Sequence, residues 1–388
     1  MSLHPLSILH HPPFFSLPSG RARVGVSLSS FFSLPSGRVM VGASLPPWMV
    51  MVGVFLSIFL LVSCTQKKES TATPETFQTE ILLPTTPVKD QGNSSLCWAY
   101  AMLATIETEH IVQGDSLNLS TTFLARHLLE DQLEHIYLSS TPDKRATVTT
   151  RGMAGDALSL METYGAMPYD TWHDRADYKL LCRKLQLMAK AAAVHKTGLK
   201  KLLDDAEPLM NQQMGPKKGS VYMLGAEYTP LEFAHSLFRH GEYEALTSFT
   251  HHPYGERITL EVPDNRYGNT MLNVPLDTLE ARIVNALRHG HPVCWEGDIS
   301  NPDFSYNRGI ASTDGKVDAE ARQKAFENRQ TTDDHCMAIV GLARDKQGKL
   351  YFICKNSWGT SNPYNGFIYM NEAYLRINTL AVWGMFYS

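Results

Sequence analysis

The sequence lacks several features that would assign it to a special class of protein. Its 388 residues contain only six cysteines and no CxxC pair, which argues against a disulfide-dense scaffold. The net charge of −4 comes without a basic stripe, so nucleic acid is not an expected partner. No apolar run reaches the roughly 20 residues that span a bilayer comfortably. What remains is an ordinary globular composition in a chain long enough for one large domain or two small ones.

Residues 1–48 differ from the rest because they contain no aspartate or glutamate. The stretch FFSLPSGR occurs twice in this segment, at 14–21 and again at 31–38. Serine, proline and glycine are frequent, and no periodicity would bury one face of a helix or strand. We expect this segment to be disordered, or to be an untranslated extension ahead of the true start.

Residues 49–64 have the pattern of a secretory signal. A nearly continuous apolar run from Met49 to Val62 ends in Ser63-Cys64, which resembles a bacterial lipobox with Cys64 as the acylated residue. The polar stretch 65–80 then serves as a tether. We expect an exported lipoprotein, anchored by its lipid to the outer membrane because no acidic residue directly follows Cys64. The alternative is a plain signal peptide with an incidental cysteine.

Cys97 begins an apolar, helix-compatible run that extends to Ile111. A thiol at a helix N-terminus feels the positive end of the helix dipole, which stabilises the nucleophilic thiolate form. Gln91 lies on the entering loop, and its amide could donate to an oxyanion beside the backbone N–H of Cys97. Taken alone, a cysteine that opens a helix is more often a core residue.

His335 and Asn356 flank a predicted β-hairpin. The strand-like run 337–342 follows His335, and a second strand, 349–355, leads into Asn356. The hairpin places both side chains at the same end, where the Asn356 oxygen can accept from one ring nitrogen and orient the other toward a nucleophile. Trp358 would cover that bond and exclude water. The alternative for His335 alone is a strand-end histidine with a structural role.

Three motifs resemble those of the papain-like (C1) cysteine peptidases. They are Gln-Gly-x-x-x-x-Cys-Trp at 91–98, the block around His335, and Asn-Ser-Trp-Gly at 356–359, in the family's order. The resemblance implies a cysteine peptidase acting on peptides or proteins, with no metal or cofactor. It also implies an α+β fold of two lobes. The helical left lobe opens with the Cys97 helix, and the β-barrel-like right lobe carries His335 and Asn356.

The peptidase domain is predicted at 81–388, with a helical insertion at about 170–277. Ser94 occupies the position of a second cysteine in classical members, and this resembles the bleomycin hydrolase and aminopeptidase C branch. That branch is known for an amino-end specificity set by a C-terminal arm and for a ring-shaped hexamer. Because the tail after Asn356 is short, neither property is transferred to this chain, and both the site of cleavage and the oligomeric state are left open.

A glycine-bearing strip before a predicted helix resembles the part of the family's cleft that binds substrate. The resemblance implies that the backbone of Gly152 pairs with an extended substrate, and that Met153 and Ala154 wall a side-chain pocket. Arg151 stands where relatives usually have another glycine, so the pocket's preference is not transferred. The alternative is a helix entry without a substrate role.

Two other functions fit the same residues. One is a non-catalytic, peptide-binding surface lipoprotein with a papain-like fold, and the other is acyl transfer to an amine instead of water. The remaining histidines, including His251 and His252, have no cysteine or carboxylate at a spacing diagnostic of zinc, so we interpret them as surface or loop residues.

Overall fold

The computed structural model describes residues 74–139, 147–173, 176–223 and 225–386. The predicted N-terminal extension, the signal with Cys64, and most of the tether lie outside these ranges. Within them, no helix combines the length and the apolar character needed to cross a membrane.

The described ranges contain nine helices. They are α1 (Cys97–Val112), α2 (Thr121–Leu138), α3 (Ala154–Tyr164), α4 (Tyr178–His195), α5 (Leu199–Met214), α6 (Pro230–Leu237), α7 (Leu276–Arg288), α8 (Ala319–Glu327) and α9 (Glu372–Asn378).

The strands form one large mixed sheet and one small hairpin. They are β1 (Gln78–Leu82), β2 (Val221–Met223), β3 (Ala226–Tyr228), β4 (Glu244–Thr247), β5 (Arg257–Thr259), β6 (Thr270–Asn273), β7 (Val293–Gly297), β8 (Phe304–Ser305), β9 (Ile310–Ala311), β10 (His335–Arg344), β11 (Leu350–Lys355), β12 (Phe367–Asn371) and β13 (Thr379–Gly384). The large sheet has the order β5-β6-β4-β13-β7-β10-β11-β12-β9-β8, with β1 also paired to β10, while β2 and β3 form the hairpin.

Helix α1 is buried on all of its faces, because it lies between the two halves of the core. It packs against α2 and α3 on the helical side and against β7 and β10 of the sheet. Its residue Trp98 belongs to the hydrophobic cluster of the helical part, whereas Ala104 belongs to the cluster around the sheet. A helix enclosed in this way is apolar all round instead of amphipathic. The predicted helix thus begins at Cys97, as expected, and ends one residue beyond Ile111.

The predicted hairpin is formed by β10 and β11. Ala338 pairs with Lys355 near its open end, and a bulge shifts the register between Ile339 and Gly341. Because β10 is covered on both faces, its sequence is a continuous apolar run without alternation. His335 begins β10 and Asn356 directly follows β11, so both side chains reach the same end of the sheet.

One prediction about the middle of the chain needs correction. Helices α4 and α5 lie within the predicted helical insertion and are separated where Lys196 adopts a left-handed backbone conformation. The insertion at about 170–277 was expected to be helical, yet it also supplies β4, β5 and β6 to the large sheet. These strands are only three or four residues long and pair with distant segments, so their local patterns are weak.

Candidate active site

One cleft collects most of the predicted site residues from separate parts of the chain. Gln91, Cys97, Gly152, His335 and Trp358 all line it. The cleft also contains residues that the sequence did not single out as a group: Ser94, Ser95, Arg151, Asp264, Asp333, Asp334 and Cys336. Asn356 lies behind His335 and reaches the cleft only through that ring.

Cys97 is the first residue of α1 and is 9% exposed. Leu96 precedes it without a side-chain cap, so the backbone N–H groups of the first turn remain directed at the thiol region. Hydrogen bonds from the Cys336 thiol and from His335, together with the charge of His335, hold the pKa of Cys97 well below its usual range. Burial acts in the opposite direction and is outweighed. The predicted nucleophile is therefore poised as a thiolate.

Cys336 is a part of this arrangement that the sequence interpretation missed. The four cysteines at 182, 294, 336 and 354 are all buried and unbridged. Cys336, however, also lines the cleft with Cys97, and its thiol and backbone N–H both lower the pKa of Cys97. Its position directly after the candidate base was the only signal in the sequence that could have revealed this effect.

Replacing Cys336 with alanine is expected to raise the pKa of Cys97, because the thiolate loses a hydrogen-bond donor. The pH dependence of Cys97 alkylation by iodoacetamide should then move to higher pH, with the fold unchanged. Cys354→Ala serves as the control, since Cys354 is equally buried but donates to the Phe352 carbonyl and does not line the cleft. Superimposable alkylation profiles for wild type and Cys336→Ala would contradict this effect of Cys336 on Cys97.

The imidazole of His335 is oriented by Asn356. The distance from His335 Nε2 to Asn356 Oδ1 is 2.8 Å, and both residues are 2% exposed. The backbone N–H of Ser357 donates to the same Asn356 atom at 2.7 Å, which identifies that atom as the oxygen. Nε2 must then carry the hydrogen, and the other ring nitrogen is left for Cys97. The Trp358 ring lies over this bond, with its centroid 4.7 Å from that of His335.

Gln91 is held by contacts to both halves of the site. Its Nε2 donates to the Ser94 carbonyl at 2.8 Å, and its Oε1 accepts from the Ser357 hydroxyl at 2.6 Å. One N–H of the amide therefore remains for another acceptor in the cleft. Because Ser357 adjoins Asn356, the same turn that orients His335 also fixes the amide of Gln91.

The strip at 152–154 has a structural requirement of its own. A Cβ atom at Gly152 would come within 2.8 Å of Asp156 Oδ2 and 3.1 Å of the Trp98 ring. Glycine is therefore needed for packing whether or not substrate binds there. Met153 and Ala154 have no exposed surface and are not among the residues that line the cleft. Their assignment to a substrate pocket stays a prediction.

A buried ionic network connects the loop before Cys97 to the strand before Asn356. Glu107 on α1 is fully buried, and its carboxylate accepts from Lys89 Nζ at 2.7 Å, Thr86 Oγ1 at 2.6 Å and the Leu119 backbone at 2.6 Å. Lys355 Nζ donates to the same threonine at 2.7 Å, and burial lowers the pKa of Lys355 to about 8. Nothing local in the sequence connects these groups, since they come from distant segments.

The histidine pair 251–252 has a carboxylate partner that the sequence interpretation did not find. Glu261 Oε1 is 2.7 Å from His252 Nε2, and Glu261 Oε2 is 3.3 Å from His251 Nε2. His251, His252 and Glu261 therefore form a hydrogen-bonded cluster away from the residues that line the cleft.

Comparisons with known proteins agree with this geometry. Residues 217–382, which include His335 and Asn356, match the model of the Peptidase C1-like family. Aminopeptidase G of Lactobacillus delbrueckii subsp. lactis is 25% identical over 354 residues, with 77% of this chain and 80% of the relative covered. Cysteine proteinase 1, mitochondrial, of Saccharomyces cerevisiae is also 25% identical, with 77% of this chain and 74% of the relative covered.

A solved structure shows the shared fold. The crystal structure of PepW from Lactobacillus rhamnosis superposes with a TM-score of 0.64 over 88% of this chain and 92% of that one, at 18% identity. Together with the sequence matches, this defines the protein as a cysteine peptidase with a papain-like α+β fold. The chain is similar to the papain-like (C1) peptidases, and the relatives that it matches over most of its length include aminopeptidases G and E of lactobacilli.

Proposed function

We propose that the protein hydrolyses peptide bonds through a covalent thioester on Cys97, with His335 as the base and Asn356 as the residue that orients it. The observation that carries this proposal is the convergence of the three groups at one end of the sheet. Cys97 and His335 line the same cleft, and the Asn356 oxygen accepts from His335 at 2.8 Å.

The chemistry follows from the protonation states. The Cys97 thiolate attacks the scissile carbonyl carbon, and the carbonyl oxygen becomes an oxyanion. The Cys97 backbone N–H and the remaining N–H of Gln91 stabilise that charge. The protonated His335 then gives its proton to the departing amine, and the thioester forms. In the second half, His335 takes a proton from water, which attacks the thioester and releases the acid.

The substrate is a peptide or a protein. The curated relatives named aminopeptidase support peptide hydrolysis but leave the site of cleavage in this protein to experiment. Digestion of a peptide library with mass-spectrometric readout should yield products with wild type and none with Cys97→Ala. Trimming confined to amino ends would identify an aminopeptidase, and internal cleavage an endopeptidase. A wild-type protein that leaves the library intact and does not react with thiol-directed probes would contradict the proposal.

We also propose that the protein is exported and anchored to the outer membrane by lipid on Cys64. The support is the apolar run ending in Ser63-Cys64 and the polar segment after it. In a bacterial host, wild type should enter the detergent phase of a Triton X-114 partition and incorporate labelled palmitate. Cys64→Ser should lose both properties. Equal palmitate incorporation by the two proteins would contradict the proposal, and Ser70→Ala, in the polar segment after Cys64, serves as the control.

A further inference from the structure

Two acidic side chains near Cys97, Glu296 and Asp333, each have one carboxyl oxygen without a donor among the described residues, while the other oxygen of Glu296 accepts from the Ala154 backbone N–H at 3.3 Å. Glu296 is fully buried and Asp333 is 8% exposed. Glu296 Oε1 and Asp333 Oδ2 are both without a donor among the residues that the structure describes. The two carboxyl groups interact, so a proton on Glu296 can be shared with Asp333. A buried acceptor left in this state is costly unless a proton or another cation joins it.

The position of the pair relates it to the nucleophile. Glu296 on β7 is the direct cross-strand partner of Cys336 on β10, so their side chains lie on one face of the sheet. Cys336 in turn lines the cleft with Cys97. Asp333 lines the same cleft as Cys97. A substrate whose carbonyl reaches Cys97 therefore lies beside the Asp333 carboxyl group, and the buried Glu296 interacts with that group from β7.

Arg151 is a cationic residue that lines the cleft, and it is already paired with a carboxylate. Arg151 binds the Asp264 carboxylate, with its Nε 2.8 Å from Oδ1 and a terminal nitrogen 2.7 Å from Oδ2. Toward Asp333, Arg151 donates to the backbone carbonyl at 2.9 Å and not to the carboxylate. Asp264 thus offsets the charge of the arginine, and Arg151 makes no hydrogen bond to the Asp333 carboxyl group.

We infer that Glu296 and Asp333 form a cation-binding subsite beside Cys97, which selects substrates carrying an ammonium or guanidinium group on the acyl side of the scissile bond. The inference rests on the proposed peptidase function and names its substrate class. The group is either the free amino terminus of a peptide or the side chain of an internal lysine or arginine. A cation of this kind can donate to a carboxyl oxygen that lacks a donor, and it balances the negative charge that the pair acquires when Asp333 loses its proton.

The protonation of the pair sets the pH at which this subsite acts. Burial raises the pKa of Asp333 to about 7 and raises that of Glu296 well above its usual range. The groups that act on Asp333 are Glu296 on β7, Asp264 and Arg151 on the surrounding loops, and Cys97 on α1. Its sequence neighbour Asp334 is bonded to the Ile299 backbone at 2.9 Å. As the pH rises through about 7, Asp333 loses its proton, so the attraction for a cation strengthens.

The test measures kcat/KM for pairs of peptide substrates that differ only in one cationic group. Each pair is assayed with wild type, Asp333→Asn and Glu296→Gln. One twin pair differs by acetylation of the amino terminus, and the other exchanges an internal lysine for norleucine. In at least one pair, wild type should cleave the cationic member with a kcat/KM about tenfold or more above that of its twin. Each amide variant should reduce this ratio toward one, while Glu207→Gln, which removes an exposed charge on α5, should leave it unchanged.

Several results would overturn the subsite. Wild type with no preference above about twofold in either pair contradicts it, as does a preference that survives in both amide variants. The ratio of kcat/KM for the lysine substrate to that for the norleucine substrate should rise between about pH 5.5 and 8 in wild type and stay flat in Asp333→Asn. A rise that persists in Asp333→Asn would contradict the subsite. Both variants are isosteric and uncharged, and thermal melting checks that they fold.

A second measurement does not depend on hydrolysis. Cys97 is alkylated with 2-bromoethylammonium, a cation, and with neutral iodoacetamide, and the ratio of the two rates is compared between proteins. We expect the ratio to fall by about tenfold from wild type to Asp333→Asn. An unchanged ratio would overturn the subsite. A protein that shows the expected ratio but cleaves no peptide would retain the subsite and lose the proposed peptidase function.

Discussion

Replacing Cys97 with alanine is expected to lower kcat/KM for peptide hydrolysis by at least about 10⁴-fold. The side chain supplies the bond-forming atom, and no other group in the cleft can take its place. Cys336 is the nearest alternative thiol, but burial and the neighbouring thiolate raise the pKa of Cys336 well above its usual range. A protonated thiol is a poor nucleophile, so Cys336 should not rescue the reaction.

The matched control for this variant is Cys182→Ala. Cys182 is a free, buried cysteine on α4, and burial raises the pKa of Cys182 to about 11. Its loss should leave kcat/KM within about twofold of wild type, with at most a small change in stability. A Cys97→Ala protein that keeps hydrolysis within tenfold of wild type would show that the thioester mechanism is wrong.

Replacing Glu107 with glutamine is expected to cost about 3–5 kcal/mol of unfolding free energy. Glu107 has no exposed surface and accepts hydrogen bonds from Lys89, Thr86 and the Leu119 backbone. Glutamine has nearly the same shape but leaves the Lys89 ammonium without its counter-charge, and Lys355 lies next to the same network. Urea unfolding near pH 7.5, followed by fluorescence and circular dichroism, measures the loss.

The control for the ionic network is an exposed ion pair. Lys200 and Asp204 form an i, i+4 pair on α5 at 2.7 Å, with both side chains largely in solvent. Asp204→Asn should change the unfolding free energy by about 0.5 kcal/mol or less. If Glu107→Gln proved as harmless as Asp204→Asn, the network would have no part in joining the Gln91 loop to the strand before Asn356. Failure of Glu107→Gln to fold at all would agree with the prediction.

The parts of the site that the sequence revealed are those set by local structure. Cys97 could be placed at a helix start because the apolar run begins there after a flexible loop. His335 and Asn356 could be placed together because a short turn between two apolar strands leaves few other pairings. In each case the position of the side chain follows from secondary structure within a few residues.

The parts that the sequence did not reveal depend on contacts between distant segments. Glu296 and Asp333 are brought together by strand pairing across the sheet, and Glu107 meets lysines from two other parts of the chain. Such carboxylates look like ordinary polar residues until the tertiary fold shows that water is excluded from them. Burial also explains why β10 reads as a plain apolar run although it carries the candidate base.

Covalent labelling of the native protein with an epoxysuccinyl inhibitor of the E-64 type is the most direct test of the Cys97–His335 site. After labelling, intact-mass analysis and peptide mapping count the modified residues and locate them. We expect one equivalent of label on Cys97, a labelling rate that falls sharply in His335→Ala, and loss of peptide hydrolysis in step with the modification. No labelling, or label on another cysteine while hydrolysis continues, would contradict the assignment of Cys97 as the nucleophile.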